Sequence, residues 1–312
     1  MTSSELTAWQ KDATSILVPN SDYRVFVKDF GDRAASSQQT LLLLHGFPES
    51  SFSYHKVVEG LLRQFDRVVL FDMLGFGFSS KPADGYSYSL IEQADVALQV
   101  WHDLGIAGGH VLSHDMGTSV LTELVARQTS EMLPAWFPIG FHSYTFTNGS
   151  MVLKFAKLRR MQKLLLGRFG GQISKATSFR NFAASVRSAH GVQASNDDAL
   201  SDLDVQQLWE NLTIQDGHRK AHLTIRYLLD RRRFEESRWL AALSVAGGQT
   251  PVHFCWGDAD QVARIEMARY LKDTVCPQAK LSVMPGVGHF CQLGSPQTWL
   301  QNVGRFYTEL SH

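Results

Sequence analysis

The stretch VLSHDMGTSV, Val111 to Val120, sets Ser113, His114 and Asp115 side by side. These are the three residue types of a nucleophile–base–acid triad. A triad is a matter of geometry, however, and neighbours in sequence rarely aim their side chains at one another. The stretch therefore supplies at most one member. GGHVLSHD reads as a strand and MGTSVLTELVARQ as a helix, so a tight strand-to-helix turn joins them. Such a turn needs small residues two places before and two after the nucleophile, because the backbones pinch together there. Centred on Asp115, those positions hold Ser113 and Gly117, and both fit. Centred on Ser113 they hold Val111 and Asp115, and both fail. Asp115 is the candidate nucleophile. A helix N-cap is the competing job for it, and on this stretch alone the two readings stand level.

Outward from this turn, strand-like and helix-like runs alternate. YRVFVKDFG (23–31), TLLLLHG (40–46) and DRVVLFDM (66–73) read as strands, the last two as buried ones with continuous apolar centres. SYHKVVEGLLRQF (53–65) has helical spacing. SLIEQADVALQVWHDLGI follows, with Ser89 and Glu92 spaced as a capping box. Continuous apolar strands alternating with helices mean a parallel sheet covered on both faces. From about Asn148 to Gly248 the pattern becomes helical and richer in charge, and strands return at TPVHFCWGDAD and LSVMPGVGHF. The expected organisation is an α/β core of residues 1–147 and 249–312, with a helical cap of residues 148–248 inserted after the sixth strand. Within the cap, SMVLKFAKLRRMQKLLLGRFGG carries Lys154, Lys157, Arg159, Arg160, Lys163 and Arg168 without an acid. We read it as a solvated outer face in preference to a membrane-surface helix.

Composition narrows the class. The chain has 312 residues, 44% apolar and 19% charged, an ordinary globular balance. Thirty basic residues match thirty acidic ones, so nothing in the net charge favours nucleic acid. Cys255, Cys276 and Cys291 are too sparse and scattered for a disulfide framework or a metal site. The polar opening MTSSELTAWQKD lacks the apolar core of a signal peptide, and no apolar run is long enough to span a bilayer. The expectation is a cytoplasmic protein, monomer or homodimer, in which the sequons at Asn148 and Asn211 carry no glycan.

In a parallel α/β sheet, ligands bind beyond the carboxyl ends of the strands. A carboxylate nucleophile there needs a histidine to activate water and an acid to orient that histidine. His289, in GVGHF after the last strand, stands where such a loop histidine belongs. Asp260, in WGDAD after the preceding strand, can hold it. Asp258 suits the acid role less, because so close to Gly257 it shapes the turn. No metal and no cofactor is called for.

These motifs resemble the α/β-hydrolase fold family, specifically the branch shared by epoxide hydrolases and haloalkane dehalogenases, which use aspartate nucleophiles. The resemblance rests on His45-Gly46-Phe47-Pro48, Leu74 to Ser79, Ser113 to Gly117, Trp256 to Asp260 and Gly288-His289. Mesoderm-specific transcript-like proteins share in addition Asp216-Gly217 through Tyr227 and Arg231 to Trp239. The resemblance implies a catalytic set of Asp115, Asp260 and His289, with an oxyanion hole from the backbone amides of Phe47 and Met116. It places His45 and Tyr144 at the substrate and makes Tyr227 the cap acid that protonates a leaving oxygen. A second cap tyrosine has no clean match.

An aspartate can displace a leaving group from an alkyl carbon and form an ester that water then cleaves. Such chemistry suits epoxides or alkyl halides better than carboxylic esters. A halide site needs side-chain N–H donors beside the nucleophile, and neither Met116 nor Phe47 can supply one. The expectation is therefore an epoxide hydrolase acting on a small apolar organic substrate and water. A haloalkane dehalogenase-type enzyme is the alternative, and a non-catalytic binding protein on the same fold is the third reading.

Overall fold

The computed structural model describes residues 3–156, 158–193 and 197–310. Eight strands form one sheet in the order β1-β2-β4-β3-β5-β6-β7-β8: β1 Thr14–Leu17, β2 Arg24–Gly31, β3 Thr40–Leu44, β4 Arg67–Phe71, β5 Gly108–His114, β6 Gly140–Thr147, β7 Val252–Gly257 and β8 Lys280–Met284. β1 and β2 pair antiparallel at one edge, and every pairing from β4 to β8 is parallel. The apolar runs explain why. Leu42, Leu44, Val69, Phe71 and Val111 join one buried cluster, while Leu41, Leu43, Val68, Leu70 and Leu112 join another. Successive strand side chains point to opposite faces, so a strand apolar at every position requires a covered core on both.

The main helices are α1 Leu90–Asp103, α2 Met116–Thr129, α3 Arg160–Leu166, α4 Phe179–His190, α5 Asp202–Thr213, α6 Tyr227–Phe234 and α7 Pro296–Leu310. Half of the expected capping box forms at α1. Ser89 Oγ accepts from the Glu92 N–H, but the Glu92 carboxylate turns outward to the Ser87 N–H. The helix read over 53–65 is much shorter. Ser51–Tyr54 is a 3₁₀ turn and only Val58–Leu61 is α-helical. Asp72 pins the start of this segment, its Oδ1 accepting from both the N–H and the hydroxyl of Ser51.

Between β6 and β7 the described chain contains helices and turns but no strand. The far end of this insert is bolted to α2. Arg238 and the Trp239 indole N–H both donate to Glu123, and the buried Arg231 donates to Ser119. Lys157, within the basic run, lies outside the described residues. That run is broken: α3 ends at Gly167, and a separate short helix spans Gly170–Lys175.

The chain leaves β3 toward β4 on one side, while β5 leads to β6 on the other. Loops departing in opposite directions open a crevice at the carboxyl ends of β3 and β5, where ligands bind in sheets of this kind. Phe47 and Asp115 flank that crevice.

Candidate active site

Asp115 is the hinge of the turn between β5 and α2. Its backbone sits at φ 44° and ψ −114°, outside the regions a non-glycine residue ordinarily occupies. Such a conformation costs of order 1–3 kcal/mol and persists only where the surroundings enforce it. The pinch that demands small neighbours is visible. A Cβ on Gly117 would stand 2.5 Å from the Leu44 carbonyl oxygen, and one on Gly46 would stand 2.7 Å from Asp115 Cβ. Asp115 precedes the helix as an N-cap residue would, yet its side chain makes no capping bond. The carboxylate turns into the crevice instead.

The two oxygens of Asp115 face different partners. Oδ1 accepts from the Phe47 N–H at 2.8 Å, and Oδ2 lies 3.5 Å from His289 Nε2. On its other side, His289 Nδ1 meets Asp260 Oδ2 at 2.8 Å. All three side chains are buried. Asp260 also accepts from the Val262 and Ala263 amides and from Asn148 Nδ2, a set of donors that fixes its orientation. Asp258 accepts from the Gly286 N–H, which joins the end of β7 to the turn after β8, and it makes no bond to His289.

Charge follows from these contacts. Burial alone would lower the pKa of His289, but the Asp260 and Asp115 carboxylates on its two sides raise it well above the ordinary imidazole value. Burial would likewise raise the Asp115 pKa, and the hydrogen bond and positive charge of His289, with His114 and the Phe47 amide, bring it below the usual range. The two flanking carboxylates thus favour the protonated form of His289 in the resting site.

The other expected residues are placed unevenly. Met116 opens α2, so its N–H is one of the amides without an acceptor inside the helix. Tyr227 is buried at the start of α6, its ring 6.3 Å from that of Phe47. Its hydroxyl makes no hydrogen bond among the described residues, and burial, with the nearby Asp115 charge, holds its pKa well above 10. His45 does not reach the crevice. Its Nε2 accepts from the Met73 N–H and its Nδ1 faces the Gly46 carbonyl, so it ties the turn after β3 to the end of β4. Tyr144 is not at the site either. It pairs with Val111 and Val252, three residues back from the end of β6, and packs against Phe141 inside the sheet's core. The placement of Tyr144 at the substrate, which the resemblance implied, fails because β6 runs three residues past it before reaching the crevice.

Two groups went unread in the sequence. Asn148, at φ 40°, holds Asp260 with its amide nitrogen and the Gly257 N–H with its oxygen, and it is wholly buried. Asn211 is buried too, so neither sequon is displayed. Behind the nucleophile, Glu49 accepts from the Gly46 N–H and meets His114 Nδ1 at 2.8 Å, while His114 Nε2 faces the His289 carbonyl at 2.9 Å. Gln292 also donates to Glu49. This cluster locks together the turn after β3, the turn after β5 and the His289 loop. The motif HGFPES contained Glu49 in plain view, but only the fold brings it to His114.

Asp115, His289, Phe47 and Pro48 form the floor of a cleft. The insert supplies the roof, through Met161, Leu165, Phe182 and Val186 among apolar side chains and Gln162, Asn181 and His218 among polar ones. Among the described residues, no cluster of side chains is arranged to hold a metal ion. No helix among the described residues is long and apolar enough to cross a membrane.

Comparison with known proteins agrees with this architecture. The chain is 34% identical over 305 residues to the putative hydrolase LipZ of Mycobacterium tuberculosis, covering 96% of this chain and 97% of that one. It is 30% identical over 281 residues to the human mesoderm-specific transcript homolog protein, covering 89% and 81%. Among solved structures, the epoxide hydrolase CorEH superposes with a TM-score of 0.70 at 18% identity, over 96% of this chain and all of that one. Residues 39–296 match the model of the alpha/beta hydrolase fold, and with this sheet order and elbow the chain belongs to the alpha/beta hydrolase fold family.

Proposed function

We propose that the chain is a hydrolase working through a covalent ester on Asp115, with small apolar epoxides as substrates and diols as products. In the first half-reaction Asp115 Oδ2 attacks a ring carbon. The carbon–oxygen bond breaks and its electron pair goes to the ring oxygen, which takes a proton from the Tyr227 hydroxyl. Asp115 is then a neutral ester, and His289 has lost one of the two carboxylates that raised its pKa. Its proton passes through solvent to the tyrosinate, leaving a neutral base. In the second half-reaction His289 Nε2 takes a proton from water, which attacks Asp115 Cγ. The oxyanion forms on Oδ1, with the Phe47 and Met116 amides as donors. The Cγ–Oδ2 bond then breaks, and the departing oxygen takes the proton back from His289.

The observation that carries this reading is the division of labour between the two Asp115 oxygens. A helix N-cap would turn its side chain back to the helix amides, and this one does not. Within this reading the insert of residues 148–248 is a cap that roofs the cleft. The epoxide substrate is favoured over a halide because neither Phe47 nor Met116 offers a side-chain N–H. A putative hydrolase is among the chain's relatives, and an epoxide hydrolase and a haloalkane dehalogenase share its fold, in keeping with a hydrolase of this kind.

The test is a trap. His289→Gln should form the ester but not cleave it, adding the mass of one substrate molecule to the peptide containing Asp115. A panel of terminal epoxides and bromoalkanes, read by mass spectrometry with bromide release in parallel, distinguishes the leaving groups. Turnover surviving in Asp115→Ala, or an adduct on Ser113, rules the mechanism out. No adduct with any of the panel supports the non-catalytic reading.

A further inference from the structure

Charge in this chain is balanced overall but not locally. No acidic residue falls between Glu131 and Asp197, whereas nine lysines and arginines do. Among the described residues Arg160, Lys163, Arg168 and Lys175 are exposed and make no ion pair. Interleaved with them are large apolar side chains left in solvent: Phe169 is 62% exposed and Leu164 42%. The chain folds a second apolar and basic pair onto this surface. A hollow is lined by Leu165, Leu166 and Arg168 on one side and by Arg226 and Leu229 on the other, and Leu229 is 42% exposed. The nearest acid on that element, Asp230, turns away to accept from the Leu90 N–H.

A solvated surface accounts for the charges but not for Leu164, Phe169 and Leu229, which gain nothing in water. Basic residues around protruding apolar ones match an anionic lipid surface, where stable attachment needs both signals together. The location adds a reason. The other side of α3 supplies Met161 and Gln162 to the roof of the cleft, and Leu165 lines both the cleft and the hollow, so this surface adjoins the path by which an apolar substrate enters.

We propose that the face formed by Leu164, Phe169 and Leu229 with Arg160, Lys163, Arg168 and Arg226 docks on an anionic lipid bilayer. Arginine and lysine heads meet lipid phosphates, the three apolar side chains dip below them, and substrates dissolved in the membrane reach the cleft without crossing water. The docking does not depend on the chemistry at Asp115.

Flotation of the full chain with vesicles tests it. Vesicles of phosphatidylcholine mixed with phosphatidylglycerol should carry the protein up, phosphatidylcholine alone should not, and high salt should release it. Each basic residue near an anionic leaflet contributes about a fivefold factor, so Arg160→Ser/Lys163→Ser/Arg168→Ser should weaken binding on the order of a hundredfold. Leu164→Ser/Phe169→Ser should weaken it as well, with an unchanged melting temperature and unchanged adduct formation without lipid. Failure to float with the anionic vesicles overturns the proposal, as does flotation that neither variant weakens. A dimer in sedimentation velocity that the Leu164/Phe169 variant dissolves, with no vesicle binding, overturns it in favour of a second copy of this chain.

Discussion

The Phe47 amide holds Asp115 Oδ1 at 2.8 Å, which leaves Oδ2 as the oxygen facing His289 across 3.5 Å. An oxygen already engaged by a backbone donor is the poorer nucleophile and the better site for a developing oxyanion. One turnover in heavy-oxygen water therefore has a defined outcome. The product should carry an ordinary oxygen taken from Oδ2, and the label should appear in the Asp115 carboxylate. Label in the product after the first turnover would mean that water attacks the substrate directly, with Asp115 acting only as a base.

The same pair links the protonation of His289 to the charge on Asp115. Of the two carboxylates that raise its pKa, only Asp260 remains once Asp115 is an ester. Asp115→Asn imitates that neutral state. Followed by NMR, the His289 ring should titrate at a lower pH in Asp115→Asn than in the wild type. Ester hydrolysis should then switch on at a pH below the wild-type His289 pKa, since the base is needed neutral only after alkylation. An equal pKa in the two proteins would mean that Asp260 alone sets the charge.

Much of this arrangement was legible from the chain. Apolar runs such as Leu41–Leu44 demand two covered faces, and the Ser113-x-Asp115-x-Gly117 spacing demands a pinched turn. The order of Asp115, Asp260 and His289 along the chain follows from strand ends. What stayed hidden depends on contacts remote in sequence. Glu49 and His114 meet across 65 positions, and Asn148 and Asp260 across 112. No local pattern encodes such pairs. β1 was hidden for a different reason: only Ile16 of its four residues is buried, so an edge strand has almost no alternation to read. Tyr144 misled because the shared motifs do not say how far down a strand a residue sits.

Two buried histidines outside the crevice contribute to the behaviour in acid. Burial, with Lys280 nearby, lowers the pKa of His253 to about 3, and burial, with His142 nearby, lowers that of His110 to about 4. Unfolded histidine takes a proton near pH 6.5, whereas these stay neutral in the folded state. Below pH 6.5 the unfolded chain thus binds more protons, and stability falls with pH until His110 protonates near 4 and His253 near 3. Each contributes a slope of up to about 1.4 kcal/mol per pH unit in that window. His253→Gln can keep a bond to Ser282, which His253 Nε2 meets at 2.9 Å. Urea unfolding between pH 6 and pH 4 should show a shallower loss of stability in His253→Gln by about one such slope. Parallel curves for the two proteins would show that His253 does not carry the effect.

Tyr227 decides which leaving group the site serves. When an epoxide ring opens, its oxygen becomes an alkoxide and needs a proton or a hydrogen bond as the bond breaks. The Tyr227 hydroxyl is held protonated by burial and by the Asp115 charge, and it is bonded to no other group among the described residues. It packs against the Phe47 ring beside the crevice, near the nucleophile rather than deep in the insert. Tyr227→Phe removes one oxygen and little volume. With an epoxide, alkylation of Asp115 should slow roughly ten- to a thousand-fold, while cleavage of an ester already formed changes little. With a halide the substitution should act through halide affinity, and bromide should inhibit the wild type. Stopped-flow measurement of adduct formation, with and without bromide, separates the two. Unchanged alkylation of Asp115 in Tyr227→Phe would make Tyr227 a packing residue. The search for a donor would then move to His218, the polar ring that the insert also contributes to the cleft wall.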